Sequence, residues 1–304
     1  MAKTATKKTT TAPARSSGKP GNGNKPAQRS NVPAVRGAST EVADNDLLKM
    51  MSAEAGRGVS TAMEDNVVPL VYILQALSPQ VIRGNQKQVK NAKPGDIWLR
   101  GTTITFDGEE GILIQPCHFS KCWIEWMPNR GGFVARHNER PAEAVLTDHP
   151  DPQKEGQKVW LMPSGNIVAE SREHVVFIHD DKLPRPQPFV IAMAGSQHTA
   201  SRNWMGLMNN NVIPGTDKIA PSYGFLYRAR IVARQKDDYN WFGWEITHGD
   251  ETSEGTAPLM VSSAEHYKMG RKMFEDINSG ALRADVGEAD DLDTGEQTTD
   301  SEHI

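Results

Sequence analysis

The two ends of this chain cannot help to build a core, and that decides where a fold can form. Residues 1–40 carry eight basic side chains (Lys3, Lys7, Lys8, Arg15, Lys19, Lys25, Arg29 and Arg36) and no acid, set among Thr, Ala, Gly, Pro and Asn. Residues 284–304 carry eight acids (Asp285, Glu288, Asp290, Asp291, Asp293, Glu296, Asp300 and Glu302) and no Lys or Arg. Segments with so few large apolar side chains do not recover the entropy of ordering themselves. The chain therefore reads as a disordered basic arm (1–58), one domain of ordinary size (59–281) and a disordered acidic tail (282–304). The formal net charge of −4 hides this opposition. No apolar run reaches the roughly 18 residues of a membrane span, and the basic start lacks the apolar segment of a secretory signal. Two cysteines, Cys117 and Cys122, cannot make a disulfide framework. The expectation is a cytoplasmic protein with free thiols and no membrane contact.

Within the domain, strand patterns dominate. Val67–Ser78 is predicted as a short helix, with Pro69 tolerated in its first turn. "KPGDIWL" reads as a turn entering a strand, and "GILIQPC" and "KCWIEWM" as two short strands. "KVWLMPSGNIVAE" is a hairpin with its turn at Pro163–Asn166, and "PFVIAMAG" is an apolar strand. "TASRNWMGLMNN" places Trp204, Leu207 and Met208 at helical spacing. The segment from Tyr223 to Thr247 reads as strand, polar turn and returning strand. "SSAEHYKMGRKMFEDINSG" is a final helix, with Ser262 and Glu265 as a capping box, Tyr267, Met273, Phe274 and Ile277 as its apolar stripe, and Gly280 as its stop. The fold class is β-rich α+β: an OB-like small barrel or sandwich with a few short helices, flanked by disordered tails.

Strand alternation sorts the aromatic residues. In "KCWIEWM", Cys122, Ile124 and Trp126 share an apolar face, whereas Trp123 lies with Lys121 and Glu125 on the other. In "LYRARIVAR", Tyr227, Ala229, Ile231 and Ala233 are apolar together and Arg228, Arg230 and Arg234 face the opposite way. If the returning strand pairs as a hairpin, Trp241 joins the arginines, while Phe242, Trp244 and Ile246 face the core. Guanidinium groups hold phosphates, and exposed rings stack on bases. Asn129–His137 reads as a loop in which Arg130, Phe133 and Arg136 surround Gly131 and Gly132. Arg202 sits near a helix start, a place suited to a phosphate. The candidate nucleic-acid-binding residues are Lys121, Trp123, Arg130, Phe133, Arg136, Arg202, Arg228, Arg230, Arg234, Tyr239 and Trp241.

Cys117, His118 and Cys122, with His137 or His149, match no strong zinc spacing. No Walker A, G-x-S-x-G or H-E-x-x-H motif is present. The carboxylates of "HDD" (His179–Asp181) and "DHPDP" (Asp148–Pro152) read as polar loops. The expectation is no catalytic residue, no metal and no cofactor.

The order "PLVYILQALSP", "KPGDIWL", "GILIQPCHFSKCWIEWMPNRGGFVARH", "AGSQHTASRNWMGLM", "YNWFGWEI" resembles a type of protein from tailed-phage replication and recombination gene sets. The layout is also similar to phage and bacterial single-stranded DNA-binding proteins, in which an OB-like barrel precedes an acidic tail. That resemblance implies single-stranded DNA as ligand, host-cell cytoplasm as location, a tail that competes with DNA for a basic groove, and replication or recombination partners recruited by the tail. An oligomer is compatible with it. Two rival classes fit the same residues: a virion or scaffold-like structural protein, and a metal-dependent DNA-processing nuclease.

Overall fold

In the computed structural model the chain divides into two compact units, Met1–Val59 and Ser60–Ile304. The residues described are 45–54, 67–128, 131–151, 156–236, 239–252 and 255–284. The first unit holds helix α1 (Asn45–Ala53), within the arm expected to lack structure. Its run of Leu, Lys and Met has good helix propensity. The acidic tail beyond residue 284, and most of the basic arm, lie outside the described residues.

The second unit is built from β1 (Val67–Val68), β2 (Leu70–Ile73), β3 (Ile97–Leu99), β4 (Thr105–Phe106), β5 (Ile112–Trp126), β6 (Phe133–His137), β7 (Val145–Asp148), β8 (Lys158–Leu161), β9 (Ile167–His179), β10 (Gln187–Ala194), α2 (His198–Asn210), β11 (Phe225–Lys236), β12 (Tyr239–His248), β13 (Asp250–Thr252), β14 (Gly255–Ala257), β15 (Leu259–Met260), α3 (Ala264–Asn278) and β16 (Arg283–Ala284). One mixed sheet of twelve strands runs in the order β12-β11-β5-β9-β10-β2-β3-β4, with β6, β7, β8 and β15 attached beside this path. β1 pairs in parallel with β16, tying the two ends of the unit together.

The helix expected over Val67–Ser78 is two strands and a turn. A continuous apolar run does not distinguish a buried strand from a helix, and here β2 lies between β10 and β3. Both of its faces are covered, since Leu70 and Val71 are each buried. The two short strands expected around Pro116 are one strand of fifteen residues, β5. Proline cannot donate to the ladder, and the register with β9 shifts between Pro116 and His118. That bulge inverts the alternation. Ile112 and Ile114 face inward before it, and Phe119, Lys121, Trp123 and Glu125 take the same side after it.

The inner face holds the larger core, where Ile114, Val176, Ile191, Tyr227 and Trp244 pack with Trp204 of α2. The outer face is covered by α3, whose Met273 packs on Cys117, Val175, Phe177 and Val190. The ends of the sheet curl toward each other. Ile231 N donates to Gly108 O at 2.7 Å, and a Cβ at Gly108 would collide with Gly95 O. Gln75 seals the same seam, accepting from Phe242 N (3.0 Å) and donating to Phe242 O (3.1 Å). Among the described residues no ladder completes the closure, so the unit is β-rich, as expected of an OB-like small barrel or sandwich, but its sheet is open and mixed.

α3 also departs in detail from the expectation. Its N-cap is Ser263, whose Oγ accepts from His266 N, not Ser262. Its inward stripe is Met269, Met273 and Ile277. Tyr267 and Phe274 lie outside that stripe, 36% and 41% exposed, and pack on the ring of Tyr223. Gly280 ends the helix at φ +77, as its position suggested.

Candidate functional site

The inner-facing side of β5 runs past the end of the core and emerges as a mixed aromatic and basic surface. Trp123 is half-buried and stands edge-on to Trp160 of β8, with ring centroids 6.2 Å apart. The guanidinium of Arg140 lies 3.8 Å from the Trp160 centroid and 5.9 Å from that of Trp123. Lys121 is exposed on the same face, its Nζ 3.9 Å from Glu170, which also accepts from Arg172 Nε at 3.0 Å. Beneath Trp123, Glu125 is buried and holds Asn166 (2.6 Å) and His137 (2.8 Å). The Asn166 hydrogen bond, with His137 adding to it, keeps the Glu125 pKa below the ordinary carboxylate range against the opposing effect of burial.

α2 borders this surface. His198 Nε2 lies 3.2 Å from Glu170 O. Burial is the main cause that lowers the His198 pKa, and the charges of Arg172 and Arg202 push the same way. One residue earlier, Gln197 accepts from Trp244 N of β12 at 3.0 Å. The start of α2 thus joins the Trp123 surface to the β11–β12 hairpin. Gly243 permits the approach, since a Cβ there would come within 2.9 Å of Gln197 Nε2 and 3.1 Å of Arg234 Nε.

The hairpin register places Arg234 opposite Trp241 and Arg230 opposite Glu245. Trp241 therefore shares the arginine face, half-buried, with Nε1 buried and without an acceptor among the described residues. The arginine row itself is partly neutralised. Arg230 is paired with Glu251 of β13, and Arg228 Nε lies 3.7 Å from the same carboxylate. Arg234 is exposed and donates to Trp244 O. The backbone of Tyr239 pairs with Lys236. Ala233, expected to face the core, is exposed near the tip of the hairpin.

Two expected contacts are placed elsewhere. Arg136 is not on a loop but on β6, where its Nη2 donates to Glu173 at 2.7 Å. Glu173 has no exposed surface and also receives the Cys122 thiol at 2.8 Å. Arg136 is therefore committed to a buried carboxylate. Phe133, also on β6, stands edge-on to Trp126 on the face away from Trp123. Trp126, expected to be core, is half-buried. Arg130 lies outside the described residues.

Cys117 packs under α3, and Cys122 faces Glu173. Burial pushes both thiols up to about 12, with the charge of Glu173 adding to the effect at Cys122. Among the described residues no three His, Cys, Asp or Glu side chains are grouped to hold a metal ion, and no helix is long and apolar enough to cross a membrane.

Trp160, Arg140, Arg172 and His198 were missed by sequence reasoning. They come to Trp123 from four separate segments, and only the folding of the segment after β6, of β8, of β9 and of α2 around β5 unites them.

No curated protein and no solved structure matches this chain. Residues 38–283 match the family model described as Pam3 phage gp34-like protein, and the chain belongs to that family.

Proposed function

We propose that the second unit is a non-enzymatic, single-stranded DNA-binding module of phage replication or recombination, and that the Trp123 surface is where the strand lies. The observation that carries the reading is the pair of half-buried tryptophans, Trp123 and Trp160, set edge to face beside Lys121 and Arg140. Rings flanked by cations suit a flexible strand, because every base has a face to stack and every phosphate a charge to neutralise. Arg172, Arg202 and the β11–β12 hairpin extend the same chemistry around the start of α2. In this reading the curled sheet serves as an open OB-like barrel. The acidic residues 285–304 compete with DNA for the basic surface and, once displaced, recruit replication or recombination proteins.

The test is a titration of fluorescent single-stranded and duplex oligonucleotides at two salt concentrations, with wild type and Trp123→Ala. Salt-sensitive preference for the single strand, weakened by the substitution in a normally melting protein, supports the reading. Undetectable binding at low salt overturns it and leaves the virion or scaffold-like class. Magnesium-dependent loss of the oligonucleotide would identify a nuclease.

A further inference from the structure

Beyond the Pro116 bulge the sheet continues as five strands in the order β6-β5-β9-β8-β7, and among the described residues β7 is one of its free edges. Among these residues β7 pairs with β8 alone, with Leu146 opposite Trp160. His149 N donates to Gln157 O at 2.8 Å. Alternation along an antiparallel pair then turns the amides and carbonyls of Val145 and Thr147 toward β8, and those of Leu146 and Asp148 toward the open edge. Two of its four side chains are large, apolar and exposed, Val145 at 64% and Leu146 at 52%; Thr147 follows, and the Asp148 carboxylate is held by Lys158 of β8 at 2.6 Å.

Strand β12, an outer strand of the twelve-stranded sheet, is treated differently. Along β12 the amide of Trp244 is capped by Gln197, and both polar groups of Phe242 by Gln75. Proteins blunt edges with charge, proline or covering groups because an unpaired edge recruits another strand. β7 carries no Lys, and no proline lies within it; Pro141 and Pro150 stand outside its two ends.

We propose that β7 is a self-association strand, pairing antiparallel with β7 of a second copy across a two-fold axis. Centring the pair on Leu146 sets Leu146 against Leu146, Val145 against Thr147 and Glu143 against His149 of the other copy. The contact is self-complementary, as an isologous interface requires. It matches Leu146 with Leu146 at the centre and a carboxylate with an imidazole at each end. The flanking prolines limit its length, so the addition stops after one strand from each copy. A four-residue strand buries less than a standard interface, so the dimer dissociates on dilution. The two sheets then form one surface. Trp160 lies one strand in from β7, which puts the two copies' Trp160 residues about three strand spacings, roughly 14 Å, apart on the same side. That last consequence rests on the DNA-binding reading above; the pairing itself does not.

The test is sedimentation of the full chain without nucleic acid over a range of concentrations, with wild type, Leu146→Lys and Leu146→Pro. The proline removes an edge donor that makes no bond to β8, and the lysine blunts the edge. The expected result is a concentration-dependent wild-type dimer and two monomeric variants that melt as wild type does. A wild type that stays monomeric throughout, or a dimer that persists in both variants, overturns the proposal. Because no DNA is present, failure here is distinct from failure of the binding reading.

Discussion

Replacing Arg136 with Met separates a structural arginine from a DNA-contacting one. In the fold Arg136 serves Glu173, a carboxylate with no exposed surface, through Nη2 at 2.7 Å and Nε at 3.4 Å. Without the guanidinium, Glu173 keeps only the Cys122 thiol at 2.8 Å and the Ser120 hydroxyl at 3.4 Å. Removing one partner of a buried ion pair typically costs about 3–5 kcal/mol, because the other charge stays buried. The Arg136 side chain is 30% exposed, so its charge is partly solvated already and the lower end, about 3 kcal/mol, is expected. For a unit of this size that corresponds to a fall of roughly 6–12 °C in melting temperature. The second arm of the experiment is Arg136→Met with Glu173→Leu. Exchanging both charges for apolar groups removes the stranded carboxylate and restores most of the loss. Thermal and urea unfolding read the stability, and oligonucleotide titration reads the binding. If Arg136→Met melts as wild type does yet binds DNA more weakly, the pair is energetically idle and Arg136 belongs to the binding surface after all.

Other consequences can be checked in the same way. Burial, with the charge of Arg172 adding, lowers His174 from 6.5 to about 3. The unfolded chain takes up this proton near 6.5 and the folded chain does not, so the associated stability is present above that pH and is lost as pH falls toward 3. His174→Gln should flatten the pH dependence of unfolding by up to about 1.4 kcal/mol per unit across that interval; an unchanged slope refutes the assignment. Gln197→Ala leaves Trp244 N without its acceptor and should cost about 1–3 kcal/mol in urea unfolding; a loss below this range would show that the edge is satisfied by water. Glu251→Gln releases Arg228 and Arg230, so affinity for single strands should rise and its dependence on log salt should steepen by about 0.7 for each phosphate gained; an unaltered slope places the strand away from the hairpin. Deleting residues 285–304 should tighten single-strand binding most at low salt, and equal affinity of the two forms there ends the case for competition by the tail.

What the sequence determined by itself is what local chemistry decides. The opposite charge of the two ends follows from composition. The β3 strand, the turn at Pro163–Asn166, the β11–β12 hairpin and the stop at Gly280 follow from short-range patterns, because turn residues and alternation act within a few positions. Trp244 as core, and Trp241 beside Arg234, came from the same alternation. The tertiary structure decided what depends on partners distant in sequence. Leu70–Ile73 became a strand because β3 and β10 offered ladders on both sides, which no propensity records. Pro116 produced a bulge instead of a strand end because β9 pairs on both sides of it. That single extra residue placed Trp123 on the α2 side. Arg136 left the candidate surface because Glu173, thirty-seven positions away, lies across β5 from it. Trp160, Arg140, Arg172 and His198 carry no local mark of function, and they meet Trp123 only because the segment after β6, β8, β9 and the start of α2 are folded around the far end of β5.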